Sequence, residues 1–296
     1  MSEGRIAGVE LGGTKCVCTI ADASGRIMAQ QVVPTTTADE TLGGIESILS
    51  GWWSERPFLA LGIASFGPVD LDRNSPTWGY ITTTTKPEWP ETDVAGRIGR
   101  RFDVPISFDT DVNGAALAEM RWGAAQGLND FAYITVGTGV GVGLIANGKS
   151  MRGFAHTELG HIRVPRLPGD NWGGACSYHG DCVEGLASGS AIRERLGARN
   201  FAEVSAEDPI WDTAVHALVQ LCHVLVCAAA PHRIAIGGGV MDKQPHLLAR
   251  IEPLLVESIA AYMELPNPGS YVTAPGLGDR AGPLGPIAMA LDAAAG

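Results

Sequence analysis

The sequence predicts an α/β protein built from two similar lobes facing each other across a cleft. Two observations lead there. Strand-like apolar runs end in glycine-rich turns at three places, Gly12-Gly13, Gly137-Thr138-Gly139 and Gly237-Gly238-Gly239. The first two of these turns each open a strand meander, so the pattern begins a second time near the middle of the chain. No low-complexity segment or flexible linker separates the two halves.

Taken in order, residues 5–13 read as a short strand ending in glycines, and residues 16–21 as a second. Turn residues at 22–25 lead to a third strand at 27–33. Residues 41–53 read as a helix, and 58–65 as a buried strand that ends at Phe66-Gly67-Pro68-Val69-Asp70. A long loop with Trp78, Tyr80, Thr82 and Trp89 follows, then a short strand at 106–109 and a helix at 113–122. The pattern restarts with a strand at 131–136, and 144–146 pairs back through Asn147-Gly148, a hairpin signal. Residues 156–182 are rich in Gly, His, Cys and Pro, which suggests a loop fastened by something other than a core. Helices are expected at 214–230 and 247–263, a strand at 233–236 between them, and a last helix at 286–294. On this reading residues 1–112 form a small N-terminal lobe, completed by a C-terminal helix at 283–296. Residues 113–282 form a large lobe carrying the loop 156–184.

Apolar residues make up 45% of the 296 residues, so a sizeable core is available, and the net charge of −11 repels nucleic-acid phosphates. A phosphorylated ligand must therefore be held by local devices: backbone N–H groups, helix N-termini and a bound cation. No basic segment with an apolar run behind it opens the chain, and no apolar run reaches the ~18 residues of a membrane span. The expectation is a cytoplasmic protein with no membrane or nucleic-acid partner. Its six cysteines then read as thiols or metal ligands. Cys16, Cys18, Cys222 and Cys227 lie in apolar runs and read as buried core thiols.

The glycine turns suit phosphate, which must approach the backbone closely. Gly12-Gly13-Thr14-Lys15 offers bare N–H groups, a hydroxyl and an ammonium, without P-loop spacing. Gly137-Thr138-Gly139 is a second cradle, and neither fits the dinucleotide fingerprint. Gly237-Gly238-Gly239 precedes a helix and suits a flat adenine or a phosphate. Each turn alone is equally a tight hairpin; together they point to a nucleotide cleft.

In Asp109-Thr110-Asp111, Asp111 ends a strand and precedes a helix. It is either a helix N-cap or a base projecting into a cleft; Asp109 reads as a hydrogen-bonder at the strand end. His161, Cys176, His179 and Cys182 fall within 22 residues, and two-residue spacers separate the last three. That is the donor set and spacing of a closed, structural zinc site, with His156 a competing ligand. Glu158 and Glu184 flank the cluster and are either solvated acids or paired acceptors for a polyhydroxylated ligand.

Taken together, the segments 8–15, 109–119, 135–141, 158–161, 182–188 and 236–239 resemble the ROK family (repressors, open reading frames, kinases), in the family's order and over nearly the whole chain. The resemblance implies the actin-like, ribonuclease H-like sugar kinase/Hsp70 architecture and ATP-dependent sugar phosphorylation. It implies Asp111 as catalytic base; Gly12, Gly13, Thr14, Lys15, Gly137, Thr138, Gly139, Gly237, Gly238 and Gly239 as ATP-binding residues; and Thr110, Glu158, His161 and Glu184 as sugar contacts. It also implies Mg²⁺ with ATP, Zn²⁺ on His161, Cys176, His179 and Cys182, and a homodimer. Three positions depart from the common pattern: Glu10 for Asp, Thr110 for Asn before the base, and His179 for a third cysteine. Glu10, His179 and the stretch 79–89 resemble the bacterial fructokinase branch, which makes fructose the expected substrate. The rivals are a kinase for glucose, mannose or an N-acylhexosamine, and a sugar-sensing regulator. The regulator needs a DNA-binding module ahead of the first phosphate loop, which here begins at Gly8.

Overall fold

The computed structural model describes residues 4–295. Residues 1–3, counted above in the first lobe, and Gly296, counted in its last helix, lie outside the described residues. The chain divides into two compact units: Met1–Gln126, Ser150–His156 and Asp279–Gly296 form the first, and Gly127–Lys149 and Thr157–Gly278 the second. The division falls after Gln126 rather than after Val112, and the units are nearly equal in length rather than small and large.

The first unit holds strands β1 (Ile6–Leu11), β2 (Lys15–Ala21), β3 (Ile27–Pro34) and β4 (Leu61–Ser65), with helix α1 (Ala38–Glu55) before β4. A two-stranded ribbon, β5 (Tyr80–Ile81) and β6 (Thr92–Asp93), is followed by α2 (Val94–Gly99), β7 (Ile106–Thr110) and α3 (Asp111–Trp122). The main sheet runs β3-β2-β1-β4-β7; the first three strands are antiparallel and β1, β4 and β7 parallel. Helix α1 starts three residues earlier than hydrophobic periodicity alone predicts, because Thr37 caps it: its hydroxyl accepts the Glu40 N–H at 3.2 Å, and Glu40 accepts the Thr36 hydroxyl at 2.8 Å.

The two faces of this sheet differ in residue size, and that difference positions α3. Val9, Leu11, Leu61 and Ile63 point to one face, where they are buried with Leu42, Ile45 and Leu49 of α1. Each such aliphatic side chain contributes roughly 1.5–3 kcal/mol by leaving water. The opposite face alternates to small residues. A Cβ on Gly62 would lie 1.8 Å from the Pro286 carbonyl oxygen of α9 (Ala281–Ala295), so the C-terminal helix rests directly on the strand backbone. Helices α3 and α9 in turn meet at glycine: a Cβ on Gly285 would fall 2.6 Å from the Gly114 carbonyl carbon. The start of α3 is thus set by backbone-to-backbone packing.

The second unit repeats the plan. Strands β8 (Phe131–Val136), β9 (Val140–Ala146) and β10 (Lys149–Ser150) are followed by α4 (Val183–Ala187), α5 (Gly189–Leu196), α6 (Ile210–Ala229), β11 (Ile234–Gly237), α7 (Gly239–Lys243), α8 (His246–Ile259) and β12 (Val272–Thr273). The sheet order β10-β9-β8-β11-β12 again joins an antiparallel start to parallel strands. Helix α6 is long and apolar enough to cross a membrane, the one such helix among the described residues, but most of it is buried in this unit's core. Cys222 is buried there, whereas Cys227 is exposed, against expectation, because it sits on the outer face of the last turn.

Candidate functional site

In the first unit the site begins where parallel strand β7 hands over to α3. Thr110, the last strand residue, caps the helix: its Oγ1 accepts the Asn113 N–H at 3.2 Å. Asp109 is tied down beside it, Oδ1 accepting the Thr110 N–H and the Asn113 side-chain amide, both at 2.7 Å. Asp111 is therefore not the cap that its position allowed. It is the first helical residue, partly exposed, and its Oδ1 accepts the Val112 N–H at 2.8 Å, which fixes the carboxylate's orientation. Thr110 is only 5% exposed, yet a hydroxyl that accepts one bond still has a proton to donate.

The first glycine turn, Gly12 to Lys15, joins β1 to β2. Its N–H groups are not all bare: Gly12 donates to Lys15 O at 3.1 Å. Gly13 and Thr14 are exposed and, among the described residues, their N–H groups make no hydrogen bond. Glu10 stands two residues before the turn. Burial pushes its carboxyl up, and the charge of Lys15 opposes the shift. The longer side chain, in place of the expected Asp, fits because position 282 is glycine; a Cβ there would lie 2.3 Å from Oε1.

In the second unit Gly137, Thr138 and Gly139 link β8 to β9. Here too the first N–H closes its own turn, Gly137 donating to Gly139 O at 2.9 Å, while Thr138 is exposed. Glu184, on α4, reaches this turn: Oε2 accepts the Val140 N–H at 3.1 Å and occupies the space a side chain at 139 would need. The third glycine run behaves unevenly. Pro275 fills the space beside Gly237, Gly238 takes a left-handed φ of +94°, and only Gly239 faces open space.

The Cys/His cluster assembles as its spacing predicted. One ligand atom each from His161, Cys176, His179 and Cys182 lie within 4.8 Å of one another. The His161 Nδ1 is 3.6 Å from Cys176 Sγ and 3.7 Å from Cys182 Sγ, and His179 Nδ1 is 3.7 Å from Cys176 Sγ. A tetrahedron with Zn–S of about 2.3 Å and Zn–N of about 2.0–2.1 Å has N···S edges of roughly 3.6 Å, so the donor set fits zinc. The knuckle bends because Cys176 and Gly180 exchange both backbone hydrogen bonds, with Gly180 at φ +63°. Burial pushes the Cys182 thiol up to about 11; the Gly185 N–H opposes the shift, and Cys176 and Glu184 add to it. His156 is no part of this cluster. It belongs to the first unit, where its Nε2 accepts the Val69 N–H at 3.0 Å.

A family model for the ROK family matches residues 6–293. The chain belongs to the ROK family. It is 43% identical over 289 residues to a fructokinase of Zymomonas mobilis subsp. mobilis, covering 96% of both chains, and 37% identical over 289 residues to a fructokinase of Pediococcus pentosaceus, covering 96% of this chain and 97% of that one. Among solved structures it is similar to a ROK family glucokinase from Streptomyces griseus in complex with glucose and AMPPNP, with a TM-score of 0.75 and 26% identity over 98% of this chain and 100% of that chain.

In this ROK protein the cluster residues and the carboxylates read from the sequence are not all alike. His161 Nδ1 faces the sulfurs and lies 3.9 Å from Glu184 Oε1, so two of the expected sugar contacts sit at the Cys/His cluster itself. Glu158 is exposed and caps the short 3₁₀ turn Leu159–His161, its carbonyl accepting the His161 N–H at 3.0 Å.

One further group was not legible. Asp170, between His161 and the knuckle, accepts Arg195 through both oxygens at 2.8 and 3.1 Å and the Thr213 hydroxyl at 2.7 Å. Arg166 bridges Asp181 and the Trp172 carbonyl nearby. Burial alone pushes the Asp170 carboxyl up, but the hydrogen bonds from Arg195, Thr213 and the Trp172 N–H, with the charge of Arg195, hold it well below the usual carboxylate range. A carboxyl with a lowered folded-state pKa adds stability above its unfolded value of about 3.9 and loses it as pH falls toward the folded value. Asp170→Asn should therefore cost about 2–3 kcal/mol near neutral pH. In urea melts the gap from the unsubstituted protein should shrink progressively below about pH 4. A gap constant across that range would show that Asp170 stabilises the loop without its charge.

Proposed function

We propose that the chain is an ATP-dependent sugar kinase that converts D-fructose to fructose 6-phosphate. The observation that carries this reading is the full-length similarity to fructokinases, 43% with the Zymomonas mobilis enzyme. In the proposed reaction Asp111 accepts the proton of the 6-hydroxyl. The hydroxyl oxygen bonds to the γ-phosphorus as the bond from that phosphorus to the β–γ bridging oxygen breaks, releasing ADP. ATP brings Mg²⁺, which neutralises charge on its phosphates. The turns at Gly12 to Lys15 and Gly137 to Gly139, with Gly239, serve as its backbone contacts. Thr110, Glu158, His161 and Glu184 hold sugar hydroxyls; with Nδ1 committed to a structural Zn²⁺, His161 retains Nε2 for this purpose. Under the same proposal the enzyme works in the cytoplasm as a homodimer.

A coupled ADP-release assay over fructose, glucose, mannose and N-acetylated hexosamines tests the reading. Fructose should give the highest kcat/KM. Preference for another hexose would move the substrate assignment, and silence across the panel would remove the kinase reading altogether.

A further inference from the structure

The stretch that resembles the fructokinase branch, residues 79–89, delivers an ammonium to the first glycine turn. Lys86 Nζ donates to the Gly13 carbonyl oxygen at 2.6 Å, across 73 positions of sequence. The loop that carries it is nailed down. Trp89 is fully buried, its indole N–H donates to the Thr36 carbonyl at 2.9 Å, and its ring packs edge-on against Phe66 with centroids 5.1 Å apart. The Trp89 N–H returns to Lys86 O at 3.3 Å, and the Lys86 N–H bonds the Thr84 hydroxyl at 3.3 Å. Lys86 is half-buried, and among the described residues no carboxylate pairs with it.

A lysine ordered against a neutral carbonyl loses side-chain freedom for one modest hydrogen bond. The arrangement makes better sense beside a polyanion. A bare carbonyl oxygen next to a polyphosphate repels it. An ammonium on that oxygen replaces the repulsion with attraction and keeps two N–H donors for phosphate oxygens. Lys15 adds its charge from the same turn, in a chain whose net charge is −11. We propose that Lys86 is a phosphate-binding residue of the kinase reaction, donating to the transferring phosphoryl group while holding the turn Gly12 to Lys15 in place. This rests on the kinase reading above.

The test compares Lys86→Met, which keeps length and loses charge, with Lys86→Arg. The Met variant should melt with the unsubstituted enzyme, lose about 10²-fold or more in kcat and leave the hexose KM within about twofold. Arg should recover part of the loss. By calorimetry, AMPPNP should bind the Met variant more weakly. Unchanged kcat and AMPPNP affinity in the Met variant would overturn the proposal, as would a loss confined to hexose KM. The nucleotide titration stands even if no hexose is turned over: that result removes the kinase reading, while weakened AMPPNP binding would still support Lys86 as a phosphate ligand.

Discussion

Asp111→Asn should lower kcat by about 10²–10⁴-fold, the range for losing a general base, and leave the melting temperature unchanged. The geometry separates the two effects. The helix cap belongs to Thr110, so α3 does not depend on a charge at 111. The Asn side-chain oxygen can still accept the Val112 N–H that Asp111 Oδ1 accepts at 2.8 Å, so the local backbone keeps its bond. What disappears is the basicity that, in the proposed reaction, takes the hydroxyl proton. The hexose and ATP KM values should move little, because the substitution acts on the transition state rather than on ground-state binding. A variant with near-normal turnover would remove Asp111 from the chemistry. One that melted early would return it to the structural role that its position before a helix also allowed.

Under the proposed zinc assignment, removing the metal should be the most damaging single change to the second unit. Elemental analysis should find zinc bound by the chain, and Cys182→Ala or exhaustive chelation should lose it. Structural zinc sites contribute roughly 10–16 kcal/mol of apparent binding energy in small peptides, and that energy is folding energy. Here the ion would be the principal fastener of residues 157–184, with the Asp170–Arg195 pair a second and weaker one. Thermal melts should drop by many degrees, and the hexose KM should rise far more than the ATP KM, because His161 and Glu184 stand at the cluster. Demetallated protein that kept both its melting temperature and its hexose affinity would show the four side chains to be an idle cluster.

What could be read in advance was what lies close together along the chain. Strand periodicity and terminal glycines predicted the two repeated sheets, and four ligands within 22 residues predicted the cluster that the structure closes. Helix ends were less legible. The apolar pattern that marks a helix begins only where a face is buried, so the polar Thr37 cap that starts α1 lies outside it.

The sequence by itself determined the family motifs, the alternation of strands and glycine turns, and the presence of a metal-ligand set. These are local, set by backbone geometry and by side-chain chemistry over a few residues. The tertiary structure alone decided that Thr110, not Asp111, caps α3, that α9 seats α3 through Gly114 and Gly285, and that Asp170 meets Arg195. It alone brought Lys86 to Gly13. Apart from the local Thr110 cap, those contacts join residues tens to more than a hundred positions apart, and nothing in the local pattern of either partner records the other, because the pairing is made by packing.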